Sequence, residues 1–104
     1  MTAWLLLLAA GVLEIIWALA LKESNGFSRL WPSLLTIVAA GASFLLLAQA
    51  MRVIPVGTAY AVWTGIGAVG VAAFAMAFQG EPTSAARLAG IALIVAGIAT
   101  LKLA

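Results

Sequence analysis

The sequence predicts an all-α membrane protein with four transmembrane helices, and three observations carry that expectation. Hydrophobic residues make up 66% of the 104-residue chain and charged residues 8%, against roughly 25% charged in a soluble domain. A soluble domain this small exposes too much of its surface to hide so much apolar material. Charges and turn residues fall between four apolar runs, Glu14 being the exception. About 20 helical residues, each rising 1.5 Å, cross a hydrocarbon core of roughly 30 Å.

Residues 1–104 read as a single domain with spans at 3–21, 32–51, 56–78 and 85–103. No basic residue precedes the first run, and Glu14 lies inside it, so it reads as a retained helix and not as a signal peptide. Asn25-Gly26 is a helix stop, and Trp31-Pro32 places a proline where the second helix opens. Trp4, Phe27 and Trp31 stand where interfacial aromatics anchor. The second span contains Ser43 and Gln49, Pro55 and Gly57 mark the next turn, and the third span carries no charge. Gly80-Glu81-Pro82-Thr83 forms a turn and helix start before the fourth span. Only residues 88–101 lie between Arg87 and Lys102, roughly 21 Å of helix, so this span requires both basic side chains to snorkel to the headgroups.

Four spans joined by short loops put both termini on one side, with Arg52 and Lys102. The opposite side carries Lys22, Arg29 and Arg87. Three against two is no clear bias under the positive-inside rule. Either a span boundary is misplaced or the chain inserts both ways round and assembles as an antiparallel, dual-topology homodimer. Four helices also make a thin wall for a substrate path, which favours a dimer.

The chain has no cysteine, histidine or aspartate, so the usual metal, triad and dyad constellations are missing, and no cofactor and no enzyme activity is expected. The net charge of +2 comes from dispersed single residues, which gives no reason to expect nucleic acid as a partner.

Glu14 is the chemical outlier. A carboxylate deep in a span costs several kcal/mol unless it is neutralised, paired or hydrated, and such residues mark ion and proton paths. The plainer alternative is a protonated side chain bonding across a helix interface. Leu7, Ala10, Gly11, Trp17 and Ala18 share its helical face. Trp17, one turn on, can donate its indole N–H to the carboxylate or simply pack. Ser43 lies on a stripe with Thr36, Ala39, Ala40 and Leu47; its hydroxyl can bond back to its own helix or orient Glu14. In the third span Tyr60, Trp63, Thr64 and Gly67 fall on one face, and the two aromatics can wall a cation site or form a packing stripe. Gly65-Ile66-Gly67-Ala68-Val69-Gly70 matches a GxGxxG pattern, but inside an apolar helix without a preceding strand it is no dinucleotide fingerprint. Gly65 and Gly67 suit close packing or a bend that changes between states. Gly90 and Gly97 lie seven apart on one face of the fourth span, either as a dimer seam or as internal packing.

Taken together, these segments resemble the small multidrug resistance family of bacterial inner-membrane transporters. The resemblance runs through Gly11-Val12-Leu13-Glu14, Lys22, Gly26 to Ser33, Ala42-Ser43-Phe44, Ile54 to Trp63, and the Gly90…Gly97 helix. Trp17 and the Trp63 to Gly70 segment are similar to the guanidinium-exporter branch; the multidrug branch has a small residue at the position of Trp17. The resemblance implies an antiparallel homodimer in the inner membrane that exchanges protons for a small organic cation, guanidinium, by alternating access. It implies that paired Glu14 residues bind either proton or cation, that Trp17 and Ser43 support Glu14 by hydrogen bonds, and that Tyr60 and Trp63 line the site.

One pair of carboxylates cannot bind cation and protons well at once, so loading one releases the other. Guanidinium is planar, charged and rich in donors matched to carboxylates. A broad quaternary-ammonium exporter of the same fold is the nearest rival, favoured by a small residue at position 17. A structural subunit of a membrane complex is another, which leaves Glu14, Tyr60 and Trp63 without a role.

Overall fold

The computed structural model describes residues 2–104, so of the 1–104 span only Met1 lies outside. Its regular structure is four α-helices: α1 (Thr2–Glu23), α2 (Leu30–Ala50), α3 (Val56–Phe78) and α4 (Ala85–Leu103). All four are long and apolar enough to cross a membrane. At 19 to 23 residues they measure about 29 to 35 Å, matching a bilayer core. α3 and α4 have the bounds of the third and fourth apolar runs. α1 and α2 each run two residues further into the first loop than the apolar stretch does.

Ser24 makes that first turn. Its side chain is fully buried, its hydroxyl donates to the Leu21 carbonyl at 2.6 Å and accepts from the Phe27 amide at 3.1 Å. The chain then passes through Asn25, Gly26 and Phe27, all at positive φ. Inside α2, Ser33 bonds back to the Arg29 carbonyl and Thr36 to that of Pro32, 2.8 Å away, so both hydroxyls are satisfied within their own helix. In the last loop Gly80, at φ 71°, reverses the chain, and Ser84 caps α4 by accepting the Arg87 amide at 3.2 Å.

α1 is the central helix and packs against α2 and α3, whereas α4 packs only against α3. The buried core gathers Leu7 and Ala10 of α1, Leu47 and Ala50 of α2, and Ala59, Val62 and Trp63 of α3. It therefore sits toward the end of the bundle that holds both termini, where the Lys102 ammonium also lies 5.0 Å from the Trp4 ring centroid. The helices part toward the other end, leaving a cavity of about 560 Å³ bordered by Ile16, Leu19, Trp31, Leu35 and Phe74.

The molecule measures 40 × 34 × 17 Å. Its least dimension is below two helix diameters of 10–12 Å, so the fold is a slab with α1 near its middle. Leu5, Leu8 and Val12 of α1, Ile37 and Leu45 of α2, and Leu93 and Val95 of α4 are exposed. That surface suits hydrocarbon and not water.

Candidate functional site

Glu14 projects from the middle of α1 toward α3 and meets Gly67. The approach is so close that a Cβ on Gly67 would stand 2.7 Å from Glu14 Cγ and closer still to its carboxylate. Any side chain at position 67 would therefore displace the Glu14 carboxylate from where it lies. The same seam is tight on both sides: a Cβ on Gly11 would lie 2.6 Å from Ile66 Cγ2, and one on Gly70 would overlap the Ile15 side chain. Gly65 points the other way, where a Cβ would lie 2.7 Å from Ile98 Cδ1 of α4. The glycines of α3 therefore serve two partners, Gly67 and Gly70 receiving α1 and Gly65 receiving α4.

Two polar atoms of this region have no protein partner. Glu14 Oε1 and Trp17 Nε1 are both buried without a hydrogen bond among the described residues. Leaving such groups unpaired costs about 1–3 kcal/mol each, more for a charge, and they lie one helical turn apart on the same face. An unpaired acceptor and an unpaired donor one turn apart are groups whose presence in a buried region calls for a functional explanation.

Ser43 is wired differently. It is fully buried; its hydroxyl donates to the Ala10 carbonyl at 2.7 Å and accepts from Trp63 Nε1 at 2.9 Å. That carbonyl is the one that receives the Glu14 amide in α-helical geometry. Ser43 therefore touches the turn that carries Glu14, not the carboxylate, and fixes Trp63 of α3 to the same point. One hydroxyl joins three helices.

Aromatic rings continue from there. Trp17 and Phe44 have centroids 6.2 Å apart, Phe44 and Trp63 5.6 Å, and Trp63 and Tyr60 5.5 Å, each pair tilted by 53–57°. The centroid separations lie in the range at which aromatic pairs attract. Trp63 is 6% exposed, whereas its neighbours in the row, Phe44 and Tyr60, are 52% and 55% exposed, so the row is buried at Trp63 and open on either side of it. Phe44 is the link that sequence reasoning missed. It follows Ser43 directly, and only the packing of α2 on α1 reveals that it bridges the two tryptophans.

A second cavity, about 410 Å³, is lined by residues that include Glu14, Ala18, Thr64, Gly67, Val71 and Glu81 of the α3–α4 loop. Glu81 was not legible as a neighbour of Glu14, since the loop must fold back for the two to share a wall. Gly90 and Gly97 take no part in this region: nothing within 4 Å would meet a Cβ at either, and α4 buries none of its residues. Among the described residues no cluster of acidic, histidine or cysteine side chains could hold a metal ion.

The profile of the Small Multidrug Resistance protein family matches residues 2–94. The chain belongs to the small multidrug resistance family. Among curated relatives it is 59% identical over 102 residues to a guanidinium exporter of Yersinia pseudotuberculosis serotype I, covering 98% of each chain. It is 56% identical over 101 residues to guanidinium exporters of Salmonella typhimurium strain LT2 and of Citrobacter freundii, covering 97% of this chain and 96% of theirs. These relatives are named as transporters, not as enzymes. As a small multidrug resistance protein with four apolar helices, the chain is a multi-pass protein of the bacterial inner membrane.

Proposed function

We propose that this protein exports guanidinium, or a small substituted guanidinium, across the inner membrane in exchange for protons, the two competing for Glu14. The observation that carries the proposal is the unpartnered Glu14 carboxylate oxygen beside the unpartnered Trp17 indole. A guanidinium ion brings only donors, in a planar fork matched to carboxylates. The Trp17 N–H can donate only to an acceptor such as a carboxylate, so it holds a glutamate in place while the cation occupies the remaining lone pairs. The row from Trp17 to Tyr60 supplies faces over which a flat cation is attracted. The relatives' names support the same substrate.

The working unit in this reading is a homodimer of two oppositely inserted chains, each crossing the bilayer four times as one domain. The 17 Å thickness leaves one chain unable to surround a path, and the site lacks partners within one chain. The free face of α4, with Gly90 and Gly97 on it, is the surface where backbones of two copies approach. Two Glu14 carboxylates then meet at one site, and Gly65 and Gly67 let α3 shift between inward- and outward-open arrangements.

Competition gives the test. With purified protein in proteoliposomes, the guanidinium concentration for half-maximal uptake should rise as protons are added on the side of guanidinium entry, with little change in maximal rate. A half-saturating concentration independent of pH, with uptake still running, is incompatible with a shared site.

A further inference from the structure

We propose that Glu81 is an outer receiving site for the guanidinium cation, held in the empty protein by the protein's own guanidinium group, that of Arg87. This rests on the guanidinium-export reading and adds a residue that neither the spans nor the central site contains.

Three observations carry it. First, Glu81 and Glu14 line the same cavity of about 410 Å³, so two carboxyl-bearing residues border one space. The rest of the lining is Ala18 of α1 and Thr64, Gly67, Ala68, Val71 and Ala72 of α3, with no aromatic or long side chain among them, which leaves room for a small flat cation. Second, the loop is folded to put Glu81 there. Gly80 turns the chain at φ 71°, and the Glu81 amide donates to the Ala75 carbonyl at 3.2 Å, bringing the residue back over the last turns of α3. From Gly67, opposite Glu14, to Ala75 is eight residues, or roughly 12 Å along the axis. Third, Arg87 Nη1 donates to Glu81 Oε1 at 2.9 Å, with both side chains nearly half exposed. Exposed pairs of this kind are weak, so an incoming ion of identical chemistry can take the place of Arg87.

The sequence of events is then an exchange of like for like. Guanidinium displaces Arg87 Nη1 from Glu81 Oε1, enters the cavity and passes to Glu14, and Arg87 returns to Glu81 behind it. Arg87 acts as a competitor tethered to the receiving site. The other exposed pair, Arg29 and Glu23 at 3.7 Å, has no part in this, because Glu23 borders the separate 560 Å³ cavity.

The test is guanidinium uptake by the full-length protein in proteoliposomes at low ionic strength, for wild type, Glu81→Gln, Arg87→Gln and Glu23→Gln. Glu81→Gln should raise the half-saturating guanidinium concentration about five- to tenfold with maximal rate within about twofold, as loss of a steering charge at a rim does. Arg87→Gln should lower it about two- to threefold by removing the competitor, on the same reasoning. Glu23→Gln should leave it unchanged. The opposite signs at Glu81 and Arg87 are what a merely structural ion pair cannot produce, since breaking it from either side has one effect. Half-saturation in Glu81→Gln equal to wild type, or a shift of the same sign in both variants, overturns the inference while wild-type uptake leaves the export reading standing. If Glu81→Gln does not fold, a raised or unchanged value in Arg87→Gln overturns it alone. Wild type that moves no guanidinium overturns both.

Discussion

Substituting Gly67 by alanine isolates the position of the Glu14 carboxylate from the integrity of the bundle. The added methyl would stand 2.7 Å from Glu14 Cγ. Carbon atoms in contact sit about 3.5 Å apart, so the Glu14 side chain must retreat by roughly 0.8 Å at Cγ and further at its carboxylate. The retreat is possible because the atoms in the way are the end of a flexible side chain. Alanine also favours the helix over glycine by about 1 kcal/mol, which offsets much of the crowding. Gly67→Ala should therefore keep its far-ultraviolet circular dichroism and melt close to wild type. Guanidinium uptake below saturation should fall by about 10- to 100-fold, the scale on which misplacing a reacting group by an ångström acts. Gly70→Ala is the control. Its methyl would overlap Ile15 on the same α1–α3 seam without reaching the carboxylate, so it should cost about 1–3 kcal/mol in stability by overpacking and leave half-saturation near wild type. Uptake by Gly67→Ala at the wild-type rate, with Gly70→Ala inactive but folded, would mean that the seam matters and the carboxylate's position does not.

Three further outcomes follow from the same geometry. Ser43→Ala leaves the buried Trp63 N–H without its 2.9 Å acceptor and should cost about 1–3 kcal/mol in a thermal melt in detergent; adding Trp63→Phe should cost less than the sum, and strict additivity would argue that the bond carries no coupling. Trp17→Gly should lose guanidinium transport, a bond donated by the indole to a carboxylate in the assembled site being worth about 1.5–3 kcal/mol, and should gain binding of tetrapropylammonium; equal guanidinium transport in both proteins would reduce Trp17 to packing. A tag on the C-terminus should be reachable from both sides of the membrane, and shifting one or two Lys/Arg between loops should fix one orientation and weaken transport by that form alone; a wild-type tag on one side only contradicts the antiparallel dimer.

The bounds of α3 and α4 were legible because Pro55, Gly57, Gly80 and Pro82 punctuate the chain on the residues where the helices begin and end. The first loop was less so. Lys22 and Glu23 are charged and still helical, because a charge at a membrane surface does not stop a helix; Asn25-Gly26, the stop read from the sequence, does lie in the turn at positive φ, while the hydrogen bonds of Ser24 that close it were not legible. Within the site, periodicity put Glu14 beside Trp17, and Trp63 beside Tyr60, because each pair lies on one helix. What joins helices was illegible: that Ser43 bonds to Ala10 and Trp63, that Phe44 bridges two tryptophans, and that Gly67 faces the carboxylate while Gly65 faces α4. Those depend on the rotation of each helix about its axis, which four helices apolar on nearly all sides leave undetermined. Glu81 was hidden for another reason, since its place on the cavity that Glu14 also lines depends on how one loop folds back.

Proton exchange at Glu14 is tested most directly by loading proteoliposomes with a pH-sensitive dye and adding guanidinium outside, with no imposed pH gradient. In wild type, inward guanidinium movement should drive protons out and make the lumen alkaline, with initial rate saturating in guanidinium. In Glu14→Gln, inserted and folded as wild type, the lumen pH should not move, because an amide can neither hold the cation's charge nor release a proton. Guanidinium entering wild-type vesicles with no pH change, or a lumen turning alkaline in Glu14→Gln at the wild-type rate, would contradict proton-coupled exchange at this carboxylate.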